Sequence, residues 1–212
     1  SNTSESAVIT GLDNLRYIDF DTNTLYATTM DAYATIHKII ADNEKYSNEP
    51  LFTTDNPITC ITFHNNYCYT IEEVPMSDDG KISYTLKKYN ISNISPTATP
   101  TADSSKILLT KTTTFTDLIF DNDKSIANTL KNPLFSDIQV TNEGIFVLFN
   151  DCYYKINREN ATVNANSRGG IIKFTNELKL DTNFGSNGIF GWTNEVHTSY
   201  GTSNNITYTI YS

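Results

Sequence analysis

Three stretches of this chain repeat one pattern: an alternating strand, a tight polar turn, and a second alternating strand. The first runs Leu15-Arg16-Tyr17-Ile18-Asp19-Phe20, Asp21-Thr22-Asn23, Thr24-Leu25-Tyr26-Ala27-Thr28. The second runs Ile58 to Phe63, His64-Asn65-Asn66, Tyr67 to Ile71. The third runs Phe135 to Val140, Thr141-Asn142-Glu143-Gly144, Ile145 to Phe149. Alternation places every second side chain on one face, and Asn, Asp and Gly tolerate the backbone of a tight turn, so each stretch reads as a hairpin. Self-similarity of this kind constrains the fold before any other feature does.

A third alternating strand follows each hairpin: Ala34–Ile40, Lys81–Tyr89 and Gly170–Phe174. A short edge strand closes each unit: Pro50–Thr53, Lys106–Thr110 and Gly188–Trp192. Two inner strands, a third carrying the long connection and a short outer strand make the order of a propeller blade. The expected fold is therefore all-β, with β-propeller-like four-stranded repeats, about three and a half blades, incomplete as it stands. Residues 1–14 read as a polar N-terminal tether, 15–54 as the first repeat and 58–113 as the second. Residues 114–133 read as an inserted loop, 134–193 as the third repeat and 194–212 as the start of a further one.

The strand pattern Asn205–Tyr211 opens that last unit, and Ser212 follows directly. An array stopping within a strand exposes unpaired backbone and apolar side chains. Completion is expected from the remainder of the same precursor or from a protein partner. Loops distinguish the units. Ser92–Ser105 is rich in Ser, Thr and Pro, and Thr114–Asn132 carries Asp121-Asn122-Asp123 and a helical turn over Ser125–Lys131, ended by Pro133. Insertions on one face of a repeat protein build binding surface, so these loops are the first candidates.

Composition narrows function by exclusion. The net charge is −9, from 15 basic and 24 acidic residues, with no Lys/Arg run to neutralise phosphates. Nucleic acid and anionic membrane are thus disfavoured. No apolar stretch approaches the roughly 18 residues that span a bilayer. Three cysteines cannot form a complete disulfide framework. With Asn65-Asn66 as the turn, Cys60 faces Ile71 and Cys68 faces Phe63, which puts the two thiols on opposite sides of one hairpin. Free, buried cysteines are expected.

One segment carries a resemblance. Gly170 to Ile189 includes Phe174, Leu180, Asp181-Thr182-Asn183-Phe184-Gly185-Ser186-Asn187-Gly188. It resembles the bacterial delta-60 repeat, whose pattern runs strand, leucine, then Asp-x-x-Phe-Gly-x-x-Gly; the other two units lack Phe-Gly-x-x-Gly. As a strand connector the motif has physical sense: Asp181 caps a turn, Phe184 plugs the sheet edge, and Gly185 and Gly188 take positive φ. The resemblance implies an extracellular or surface-attached, propeller-like bacterial protein with no common reaction, and the periplasm as second choice. The polar start at Ser1-Asn2-Thr3-Ser4-Glu5-Ser6 fits a mature export product and is similar to the tether of bacterial lipoproteins.

Candidate chemistry is sparse. Asp19-Phe20-Asp21-Thr22-Asn23 has the opening spacing of a calcium loop, but Thr24 and Met30 stand where its glycine and closing glutamate belong. Asp121-Asn122-Asp123-Lys124-Ser125 is weaker. His37, His64 and His197 have no His or Cys at metal-ligand spacing. There is no Gly-x-Ser-x-Gly elbow and no phosphate loop. The sequons at Asn90, Asn93, Asn160 and Asn205 carry no weight in a chain so rich in Asn and Thr. No catalytic, cofactor-binding or metal residue is assigned, and no cofactor. The expectation is a non-catalytic propeller mediating protein interaction. The alternative is a carbohydrate-binding propeller or a hydrolase with a central-channel site. Clustering of Asp19, Asp21, Asp121, Asp123 and Asp137 in one concave pocket would favour that alternative.

Overall fold

β-Branched and aromatic residues at alternate positions favour pleated backbone, since each face then packs as a continuous surface. The computed structural model describes residues 9, 11–42, 45–77, 81–92, 94, 100–112, 118–119, 133–157, 162–199 and 202–211. Every regular element among them is a strand, and none of the sheets closes on itself. The first sheet has the order β1 (Leu15–Asp21), β2 (Thr24–Met30), β3 (Ala34–Asp42), β4 (Lys45–Thr53). The second runs β5 (Ile58–His64), β6 (Tyr67–Pro75), β7 (Lys81–Asn90), β8 (Ser104–Thr112), β9 (Leu118–Ile119). The third runs β10 (Pro133–Thr141), β11 (Gly144–Asn157), β12 (Thr162–Phe174), β13 (Ile189–Ser199), β14 (Thr202–Tyr211). All neighbours are antiparallel and sequential in the chain.

The three expected hairpins form. Asp21 pairs with Thr24 and Thr141 with Gly144, leaving two-residue turns. His64 pairs with Tyr67, and Asn65 and Asn66 both take left-handed φ, 50° and 63°. Two such residues make the hairpin turn whose twist matches that of its strands. The repeat extends to a detail no residue pattern announces. Each first strand shifts register near its start, between Leu15 and Tyr17, Ile58 and Cys60, and Phe135 and Asp137. A bulge at one position in three units bends each strand alike, which lets successive sheets nest.

Sequence and structure differ at the outer strands. β4 begins at Lys45 rather than Pro50, and β13 runs to Ser199 rather than stopping at Trp192. Leu118–Ile119, within the stretch expected as an insertion, pairs with β8; the remainder of 113–132, with Asp121 and Asp123, lies outside the described residues. Asn205–Tyr211 does not open a fourth unit. It belongs to β14, which pairs with β13 from Gly191↔Tyr211 to Ser199↔Thr202 as the outer strand of the third sheet. An alternating pattern shows that a strand forms but not which edge it joins, and the adjacent edge closes the smaller loop.

The sheets stack face to face in chain order through two cores. Tyr26, Ile36 and Phe52 of the first sheet meet Ile61, Phe63, Cys68 and Tyr89 of the second. On its other side, Cys60, Tyr69, Ile71 and Leu86 meet Phe135, Ile138, Val147, Phe149 and Ile172 of the third. The thiols of Cys60 and Cys68 are buried, free of disulfide and on opposite faces of the second sheet, as the hairpin register requires. Burial of each such Ile or Phe contributes about 1.5–3 kcal/mol, so the two junctions dominate stability.

Candidate interaction surfaces

The stacking has one sense. In aligned register, Ile18, Ile61 and Ile138 occupy the same place in β1, β5 and β10, as do Phe20, Phe63 and Val140. Each of these pairs points toward the preceding sheet; this face is termed leading and its reverse trailing. Ile61, Phe63, Ile138 and Val140 are 7, 5, 0 and 8% exposed, whereas Ile18 and Phe20 are 63 and 60% exposed. The chemistry is the same, but among the described residues no sheet packs on Ile18 and Phe20, although Ala27, His37 and Ile39 of the same face are buried. A groove of about 480 Å³ lies there, lined by Phe20, Leu25, Ile39, Ala41 and Tyr46 among others.

Polar residues differ between the leading faces. On the second sheet Glu72 is fully buried and its carboxylate is saturated. Its Oε2 accepts from Lys87 Nζ at 2.7 Å and Asn56 Nδ2 at 3.0 Å. Its Oε1 accepts from Thr70 Oγ1 at 3.0 Å and Tyr89 Oη at 2.5 Å. Such saturation is what makes a buried charge tolerable. Burial, and then the adjacent carboxylate, push the Tyr89 phenol up. On the first sheet the corresponding rows hold His37 and Thr29. His37 Nδ1 lies 3.1 Å from Asn48 Oδ1 and Nε2 lies 3.1 Å from Thr29 Oγ1, and burial lowers its pKa. Sequence reasoning passed over Glu72; an acid inside the apolar run Tyr67–Val74, with Lys87 opposite its neighbour Thr70, was the available signal.

The hairpin tips converge at one end. His64 Nε2 lies 3.3 Å from Asn142 Oδ1, and Asn65 Nδ2 reaches the same oxygen at 3.5 Å. Between the tips of the first two sheets is a polar cavity of about 280 Å³ lined by Asp21, Asn23, Tyr26, Asn65 and Asn66 among others. The described acids do not share it. Asp19 joins two sheets instead: its Oδ2 accepts from Thr62 Oγ1 at 2.8 Å and Phe63 N at 3.0 Å, and its Oδ1 from Phe20 N at 2.8 Å. Asp137 accepts from Ile138 N at 2.8 Å and is exposed; of Asp19, Asp21 and Asp137, only Asp21 lines the cavity. The possible calcium opening at Asp19–Asn23 is thus a strand end and a turn, and no group of His, Cys, Asp or Glu suited to a metal occurs among the described residues. The side chain of His197 lies outside the described set.

The segment after β12 has the local geometry its residues suggest. Asp181 Oδ1 accepts from Asn183 N at 3.2 Å, closing a turn, and its Oδ2 lies 3.0 Å from Lys173 Nζ. Gly185 and Gly188 take φ of 55° and 91°, and a Cβ on Gly188 would lie 2.6 Å from Leu180. Phe184 packs edge-on to Phe146 at 5.9 Å, with Lys173 Nζ 5.5 Å from the Phe146 ring. The second sheet carries a like device on its trailing face: Lys88 lies 4.2 Å over Tyr67 and 5.7 Å from Tyr69, and donates to Asn176 O of the third sheet's connecting loop. No helix among the described residues is long and apolar enough to cross a membrane. Comparisons with protein-family models, curated proteins and solved structures gave no match for this chain.

Proposed function

We propose that this chain is a non-catalytic, extracellular or surface-attached bacterial module of β-propeller type, its sheets acting as blades, that binds protein through the loops at its hairpin-tip end. One observation carries the reading: equivalent tips of successive sheets are drawn to one end and tied there through Asn142. Loops held by a rigid sheet scaffold form a surface with little ordering cost. Attachment would follow the lipoprotein manner, with the periplasm as second choice. The test is photocrosslinking on intact source cells from a probe at exposed Asn142. A discrete crosslinked protein, together with loss of the chain on protease shaving, is the expected result; a chain inaccessible to protease overturns the placement.

The carbohydrate-binding reading has one feature in its favour, the polar cavity lined by Asp21, Asn23, Asn65 and Asn66. Amides and a carboxylate bond sugar hydroxyls. Binding on a glycan array that Asn66→Ala abolishes would select it over the protein reading.

A further inference from the structure

Two outer faces of the stacked sheets expose residues whose counterparts in the other sheets are buried. On the first sheet's leading face, Ile18 and Phe20 are exposed where their counterparts in the other sheets are covered. On the third sheet's trailing face the mirror situation holds. The row Leu148, Ile171, Phe190 corresponds to Thr28, Ile36, Phe52 in the first sheet. Phe52 is 1% exposed and Ile36 is wholly buried beneath the second sheet, whereas Phe190 is 39% exposed and Leu148 and Ile171 are half-buried. The aromatic–lysine device agrees. Lys88 spends its ammonium on the next sheet's loop, while Lys173, over Phe146 and Phe184, pairs with Asp181 of its own sheet.

We propose that a second copy of this chain docks head to tail, the trailing face of its third sheet covering the leading face of the first. The junction continues the two already built within the chain, where trailing Tyr26 covers leading Phe63; at the new junction Phe146 would face Phe20. A face that meets a different face of its partner is heterologous: two copies close through two identical junctions where the rotation allows it, and further copies add head to tail where it does not. The inference rests on the sheets being blades of one stacked series, and names the partner that completes it.

The experiment is sedimentation velocity of the full chain at about 100 μM, where association tighter than ~10 μM is saturated. Phe20→Asp and Phe190→Asp change exposed side chains, so both variants keep the wild-type circular dichroism. Wild type is expected to associate, and each variant to weaken association by about 30-fold or more. Mixing the two variants restores one intact junction and is expected to recover a heterodimer. Three outcomes overturn the proposal: a monomeric wild type, association indifferent to Phe190→Asp (leading faces meeting each other), or no recovery on mixing. A monomer that still crosslinks to a cell-surface protein removes this inference alone; a self-associating chain inaccessible to protease on cells removes only the proposed placement.

Discussion

Tyr26 and Phe63 stack with ring centroids 4.0 Å apart and planes 6° from parallel, across the junction of the first two sheets. Phe20 stands at the place of Phe63 one sheet earlier and is 60% exposed, with no ring stacked on it among the described residues. Two phenylalanines equivalent in the repeat therefore differ in what their removal costs. Phe63→Ala is expected to lower unfolding free energy by about 3–5 kcal/mol, as for other buried aromatics. Phe20→Ala, measured on the same dilute chain by urea unfolding, is expected to stay within about 0.5 kcal/mol. Equal losses would show that the first sheet's open face is covered even in the monomer.

Glu72 holds four donors at once. Glu72→Leu leaves Lys87, Asn56, Thr70 and Tyr89 without their acceptor, and a loss of about 3 kcal/mol or more is expected. Tyr89→Phe removes one donor to a charged group and is expected to cost about 1.5–3 kcal/mol. Denaturation midpoints of both variants at neutral pH measure this, and a neutral Glu72→Leu would rule out the network as a stabilising centre.

His37 links stability to pH. Burial lowers its pKa from 6.5, so an unfolded chain takes up the proton first as pH falls. Between the two pKa values the unfolded state binds more protons, and its share grows. The His37 contribution is thus intact above pH 6.5, declines as pH drops through 6.5, and levels off below the folded value. Urea midpoints between pH 7.5 and 5 should fall in the wild type and fall less in His37→Gln. Equal slopes would remove His37 as the source.

Thiol reactivity reads the second sheet's two faces. Burial pushes Cys60 up to about 12 and raises Cys68 well above its ordinary value, so neither offers thiolate at neutral pH. Peptide mapping after iodoacetamide should find Cys60 and Cys68 unmodified in the native chain and modified in urea. A Cys60–Cys68 disulfide in the map would contradict the register of β5 and β6.

Gly185 tests the connector after β12. Its φ is 55°, and a Cβ there would stand 2.2 Å from the carbonyl oxygen of Ile189. Gly185→Ala is expected to cost about 2 kcal/mol or more, because backbone rather than a flexible side chain must move. Hydrogen exchange should show the loss spreading first through β12 and β13.

The residue pattern by itself determined that strands form, where the three hairpins turn, and which side chains share a face. Those outcomes are local: alternation has a period of two, and Asn65-Asn66 fits a left-handed turn whatever lies around it. It also separated Cys60 from Cys68, since register follows from the turn. Partner choice was decided only by the tertiary structure. Asn205–Tyr211 joins β13 instead of opening a new unit, Asp19 bridges to Thr62 and Phe63, and Glu72 lies sealed between sheets. Phe20 and Phe63 are the same residue in the same pattern, yet one is exposed and the other buried. Exposure belongs to what stands opposite a face, and a strand's own sequence carries no record of its neighbour.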